Sequence, residues 1–199
     1  MERKIVISAL LNQVQVGIVE NRRLVEYYLE RDFKERLVNN IYRGRIENIL
    51  PGMGAAFVDI GMAKNAFLFL ADLPPNLDKQ SLKVGDTIMV QVVKEAEGTK
   101  APRVKARIAL PGRYLVLLPS QTNIGISKQI TDGNERSRLK AIMEDITPAD
   151  IGVIVRTLAQ ECSKEELTAD LEDLLEEWAR IQKNLELRSN HRCCTKIMT

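Results

Sequence analysis

Histidine is nearly missing from this sequence: among 199 residues only His191 is one, and cysteine occurs just three times, at 162, 193 and 194. An odd number of cysteines, two of them adjacent, offers no even disulfide framework and no metal-ligand spacing. Cys193 and Cys194 stand close to His191, but neighbouring residues rarely aim at one ion without further ligands, and none is near, so no metal site is expected. Long apolar runs are missing too; nothing approaches the roughly 20 residues of a membrane-spanning helix. The opening Met-Glu-Arg-Lys and its Ile-Val-Ile-Ser-Ala-Leu-Leu stretch resemble a signal peptide only superficially. The apolar part breaks at Asn12-Gln13 with no small-residue cleavage site after it, and a cytoplasmic location is expected. An excess of one charge is likewise absent: 29 basic residues face 27 acidic ones, a net charge of +2, too small by itself to argue for a polyanionic partner. No internal repeat and no low-complexity tract interrupts the chain.

What is present is the ordinary balance of a soluble globular protein, with 45% hydrophobic and 28% charged residues. The length allows one large domain or two small ones. Charge is also unevenly distributed. Lys100, Arg103, Lys105, Arg107 and Arg113 fall in one stretch without an acid, whereas acids dominate from Glu161 to Glu177. A local basic patch sets phosphate affinity more than the total charge does.

Residues 4–30 read as three strands, Lys4–Ala9, Gln13–Glu20 and Leu24–Leu29, with Asn21-Arg22 as a polar turn. A meander of this size buries too little to stand alone and is expected to be the edge of something larger. Phe33–Asn39 reads as a charged connector. Strands at Ile41–Ile46, Ala55–Gly61, Asn65–Leu70 and Ile88–Val92, punctuated by Pro51-Gly52-Met53-Gly54 and Val84-Gly85-Asp86, indicate a small barrel of the OB type over 40–108. Beyond it come a strand at Arg113–Leu118, a helix at Arg136–Ile146 and a short buried strand at Gly152–Arg156. Ser163 and Glu166 form a capping box. It opens a long helix whose Leu167, Leu171, Leu174, Leu175, Trp178, Ile181 and Leu185 recur at helical spacing. Asp170, Glu172, Asp173, Glu176 and Glu177 read as that helix's solvated face.

OB-type barrels take single-stranded nucleic acid across a strand face, stacking bases on exposed aromatics and holding phosphates with Lys or Arg. Three of the four phenylalanines, Phe57, Phe67 and Phe69, fall in the barrel, and Phe67 and Phe69 share one strand face. The alternative is that all three fill the core.

Tyr42-Arg43-Gly44-Arg45, Ala56-Phe57-Val58-Asp59-Ile60-Gly61, the phenylalanine six positions on, and Val84-Gly85-Asp86 with Val90 and Val92 resemble the S-one RNA-binding barrel. More narrowly, Asn40–Ile46, Leu50–Gly61, Val92–Lys100, Leu110-Pro111-Gly112-Arg113-Tyr114-Leu115-Val116 and Val155-Arg156-Thr157 resemble the RNase E/G family, in order and spacing, over residues 1 to about 187. The resemblance implies an α+β chain: residues 1–39 begin an RNase H-like subdomain, an S-one OB-type barrel (40–108) is inserted after its first strands, an α/β 5′-sensor with a long C-terminal helix occupies 109–187, and 188–199 is an atypical tail. It implies single-stranded RNA as partner, with Phe57 and Phe67 stacking on bases and Lys100 contacting the strand, while Phe69 is left to the core. It further implies a pocket for a 5′-terminal monophosphate made by Gly112, Val116, Lys128, Arg156 and Thr157. Such a group carries nearly two charges and needs a forked cation, a hydroxyl and free backbone amides. Where the family pattern often has two arginines, this chain has Lys128-Gln129, so one charge is lost.

The same resemblance implies RNA processing and decay, self-association of the full-length enzyme, and a magnesium-dependent DNase I-like catalytic domain followed by a zinc-binding cysteine motif. Neither fits after residue 187, so this chain is expected to hold no cofactor and to be inert as a nuclease by itself. A stand-alone RNA-binding protein is the competing expectation. The tail departs from the family's Pro-x-Leu-Leu-Tyr-Lys-Asp-like continuation, which a shifted reading frame near codon 189 would restore.

Overall fold

The computed structural model describes residues 3–10, 13–31, 37–75, 77–187 and 193–195, with only the backbone at 10, 30, 31, 185–187 and 193–195. The 32–36 part of the connector, the side chain of Leu185, His191 and most of the tail lie outside the described residues. Two compact units divide the chain, Met1–Arg36 and Leu37–Thr199.

In the first unit β1 (Arg3–Leu10), β2 (Gln13–Glu20) and β3 (Arg23–Arg31) form an antiparallel sheet in that order. The β2–β3 hairpin turns on Asn21 and Arg22, both at positive φ (47° and 65°). Two residues with positive φ match the right-handed twist of the flanking strands. Neighbouring residues on opposite faces stay exposed together: Ile5 with Val6, Leu24 with Val25, Tyr27 with Tyr28. The meander thus builds no core of its own, as its size demands.

The second unit opens with the barrel. β4 (Ile41–Leu50), β5 (Ala55–Asp59), β6 (Ala66–Phe69), β7 (Thr87–Lys94) and β8 (Arg103–Lys105) close in the order β4-β5-β6-β8-β7, with β7 returning to β4. All pairs are antiparallel except β6–β8. Within the barrel strand β4 serves two neighbours, β7 along its first half and β5 along its second, and a bulge between Ile46 and Asn48 accompanies the change; such an extra residue bends a strand and strengthens its twist. Tyr42, Ile46, Ala56, Val58, Leu68, Val90, Val92, Val104 and Ala106 fill the interior. Gly44 is the point of closest approach: a Cβ there would lie 2.4 Å from Val58 Cγ1 and 3.0 Å from the Asp59 carbonyl oxygen. The basic stretch supplies the closing strand, because Val104 and Ala106 alternate inward while Arg103 and Lys105 do not.

A second layer follows. β9 (Leu110–Pro111), β10 (Leu115–Leu118), β11 (Ile124–Ile126) and β12 (Gly152–Val155) form a sheet in the order β11-β12-β10-β9. β11 and β12 are parallel and are joined through α1 (Gly133–Ile146). That helix begins three residues before its expected start because Asp132 caps it, accepting from the Asn134 amide. α2 (Lys164–Leu187) opens on the capping box read from the sequence: Glu166 accepts the Ser163 amide at 2.9 Å and Ser163 Oγ the Glu166 amide at 3.2 Å. Leu110, Leu115, Leu117, Leu139, Met143, Val153, Val155, Leu167, Leu171, Leu174 and Ile181 make a second core. The barrel's Ile41 and Met89 join it, and wholly buried Gln91 bonds the Ala109 carbonyl at 2.9 Å and the Ala109 amide at 3.0 Å. A final short strand, β13 (Cys193–Thr195), runs antiparallel to β4. No described helix is long and apolar enough to cross a membrane.

Candidate functional site

The barrel's outer face is set by alternation. Ala56, Val58, Ala66 and Leu68 are buried, so Phe57, Phe67 and Phe69 face away from the core. Phe57 and Phe67 are direct cross-strand partners, and their rings meet edge to face with centroids 5.7 Å apart. Phe67 and Phe69 meet the same way at 4.7 Å. Edge-to-face contact is the geometry that ring quadrupoles favour. Phe57 and Phe67 are half-buried; Phe69, expected in the core, is 36% exposed. The two-residue period explains this correction: Phe69 cannot leave the face that Phe67 occupies.

Arg103 lies beside Phe67 across the parallel β6–β8 pair, and its guanidinium carbon sits 4.7 Å from the Phe69 ring centroid. Its Nη2 meets Asp72 at 3.4 Å, and its buried Nε has no hydrogen-bond partner among the described residues. Burial pushes the Lys105 ammonium below the usual lysine range, with Asp72 pulling the other way. Lys100 sits elsewhere, exposed in the turn Glu97–Lys100 between β7 and β8, where Gly98 adopts a φ of 56° and Lys64 Nζ donates to the Gly98 carbonyl at 2.7 Å.

The second constellation gathers where β12 ends. Arg156 is exposed, and its Nη1 donates to the Gly112 carbonyl at 2.5 Å. Thr157 Oγ1 donates to Gln129 Oε1 at 2.9 Å and lies 3.2 Å from Ser127 Oγ. From α1, Arg136 Nη1 holds this turn by the carbonyls of Ser127 and Ile130, at 2.8 and 3.0 Å. Gly112 and Arg156 are thus brought together, and Thr157 is joined to Gln129. Lys128 is exposed on the same turn as Gln129, and half-buried Val116 lies in β10 opposite Pro111 and Ile154.

One acid read as solvated turns inward. Asp170 accepts from three successive amides, those of Arg113, Tyr114 and Leu115, each at 2.9 Å. The Gly112 amide donates to the Leu115 carbonyl at 2.8 Å. These main-chain donors are therefore taken, and the anion in the nest is the protein's own carboxylate. The same packing explains Gly112: a Cβ would stand 2.7 Å from Asp170 Oδ2 and 2.9 Å from Leu174 Cδ1. The signal was in the spacing, since Asp170 lies three residues after Leu167 and four before Leu174, within the apolar stripe.

Around this constellation Glu135 ties α1 to the segment before α2. It accepts from Arg138 through both oxygens at 2.7 Å and from the Glu161 amide at 2.9 Å. The Arg138 bond, then the Glu161 amide, hold its carboxyl down at about 2. Burial pushes the Cys162 thiol up. Among the described residues no group of three or more histidines, cysteines or acids could hold a metal ion.

Comparison with known proteins fits these features. Residues 109–198 match the Ribonuclease E/G family, a span that runs past 187, where the recognisable motifs stop. The chain is 38% identical to Ribonuclease G of Haemophilus influenzae over 201 residues, covering 94% of this chain and 40% of that protein. It is 33% identical to Ribonuclease G of Escherichia coli K12, covering 92% and 40%, and 37% identical to Ribonuclease E of a Nostoc species, covering 86% and 27%. The chain therefore spans 40% or less of the length of these relatives. With its closed five-stranded barrel and its α/β layer, the chain belongs to the ribonuclease E/G family.

Proposed function

We propose that this chain is an RNA-binding portion of a ribonuclease, in which the barrel face carries single-stranded RNA and the Arg156–Thr157 corner selects a 5′-monophosphate. The observation that carries the proposal is the Phe57–Phe67 pair, two touching rings turned outward beside a strand of arginine and lysine. Bases of any identity stack on such rings, and the cations hold the backbone. Lys100, on its exposed turn, would meet a neighbouring phosphate. At the second corner the phosphate would take Arg156 from the Gly112 carbonyl and Thr157 from Gln129, with Lys128 adding charge. Binding there is an exchange of hydrogen bonds, with the gain coming from the stronger charge-assisted ones. Residues 1–39 would then begin an RNase H-like subdomain and 109–187 form the sensor.

Magnesium and zinc are proposed to belong to parts of the relatives that this chain does not span.

The test is one titration series with a single-stranded RNA carrying either a 5′-monophosphate or a 5′-hydroxyl. Wild type should prefer the monophosphate. Arg156→Gln should lose most of that preference, worth about 1.5–3 kcal/mol for one charge-assisted bond, and should keep its 5′-hydroxyl affinity. Phe57→Ala should weaken both RNAs alike, by about 1–3 kcal/mol. Equal wild-type affinity for the two RNAs would remove the 5′-end assignment, and an unaffected, folded Phe57→Ala would remove the stacking assignment.

A further inference from the structure

We infer that Phe69 and Arg103 form a third subsite on the barrel face, taking one more base and one more phosphate of a single-stranded RNA than Phe57 and Phe67 engage. The inference rests on the barrel reading above and extends it along β6 and β8. Phe69 is the most open of the three rings, and it continues the edge-to-face series beyond Phe67. A lone exposed apolar side chain needs no explanation. A third ring that meets Phe67, itself in contact with Phe57, and that has an arginine seated over it makes an ordered surface in which base-sized apolar area adjoins positive charge.

The chemistry of Arg103 points the same way. A guanidinium can meet a ring with its flat face while its N–H donors, which lie in its plane, remain available to phosphate oxygens. Among the described residues Nη2 of Arg103 meets Asp72, at a long 3.4 Å, and the buried Nε has no partner. A phosphate would approach the outer N–H groups of this guanidinium, since Nε itself is closed to solvent. Asp72 keeps the side chain over β6 until then, and the following half-buried Lys105 adds charge on the same strand side. The pairing also suits the ligand's own spacing, because in a single strand each base is followed by its phosphate, and here a ring is followed by a cation.

The experiment uses the full chain and a short 5′-hydroxyl oligouridylate, with anisotropy measured across a salt series for wild type, Phe57→Ala, Phe69→Ala, Phe69→Leu and Arg103→Gln. Loss of one stacked base at the weak end of the range is about five-fold, and both Phe69 variants should show at least that. Phe69→Leu keeps apolar bulk, so it separates stacking from folding. Arg103→Gln should flatten the logarithmic salt dependence by about 0.7, the value for one phosphate of a single strand. Wild-type affinity and slope in both Phe69→Leu and Arg103→Gln, with Phe57→Ala weakened, would overturn the subsite while leaving the barrel reading intact. Weakening at Phe69 and Arg103 with Phe57→Ala unchanged would uphold the subsite and displace the Phe57 assignment. No binding by wild type at low salt would overturn both.

Discussion

The barrel and the α/β layer offer their candidate sites in opposite ways. On the barrel the rings are already turned outward, and a ligand meets them without breaking a bond between protein groups. In the layer the corresponding groups are engaged: Arg156 on Gly112, Thr157 on Gln129, three amides on Asp170. An apolar ring has no polar group to satisfy and tolerates waiting in water. The part-buried amides of Tyr114 and Leu115 need a partner in the free protein as well, and Asp170 supplies it. An open site of the first kind accepts many sequences, whereas one that exchanges bonds answers only to a group that outbids its internal partners, as a doubly charged phosphate does.

The sharpest way to break the comparison is to damage each region at its tightest point. Gly44→Ala should cost the barrel about 3 kcal/mol, the upper part of the range for overpacking, because the added methyl meets both Val58 and main chain. Urea unfolding followed at the rings or by hydrogen exchange would measure it. Asp170→Ala should cost about 2–3 kcal/mol, less than the sum of three lost bonds since the loop can relax toward water. It should also abolish 5′-end discrimination in the same titrations while sparing 5′-hydroxyl RNA.

Acid separates the regions further. Glu135 has a carboxyl held at about 2, against an ordinary 4.5. A depressed folded value means that its contribution is complete above about 4.5 and is lost as pH falls from there toward 2. Glu135→Gln should lower stability at neutral pH by about 2 kcal/mol, in line with bonds to charged groups, and should flatten the acid limb of the stability curve. Smaller again, Gln129→Arg would restore the missing charge beside Thr157 and should tighten 5′-monophosphate binding by about 1 kcal/mol, the lower range for a charge-assisted bond after its desolvation. Smallest is Glu144→Ala, which breaks an exposed pair with Lys140 and should change stability by about 0.3 kcal/mol.

Much of this architecture was legible in the chain. The strands of residues 4–30, the barrel and the capping box at Ser163 follow from alternation, turn chemistry and spacing, whereas the Arg156 corner is implied by the family resemblance alone. What escaped did so for identifiable reasons. β11 is three residues long, too short for a period to register. Phe69 was divided from Phe67 although a period of two forbids it. Asp170 resembles its acidic neighbours in composition, and only its place in the leucine stripe sets it apart. Which internal partner a polar group takes, as Thr157 takes Gln129, depends on chain segments far apart in sequence, and no local pattern records it.

Gln91 has a consequence for how the unit responds to a ligand. Its side chain is wholly buried and spans from the barrel to both main-chain groups of Ala109, while Ile41 and Met89 from barrel strands sit in the other core. Neither region can open without breaking that amide bridge and exposing apolar surface of the other, so the two share one cooperative transition. Binding energy gained at either place would then be stability gained by both: on the proposed reading, an RNA laid on the rings should slow amide exchange around the Arg156 corner, and a phosphate seated there should raise the temperature at which the barrel melts.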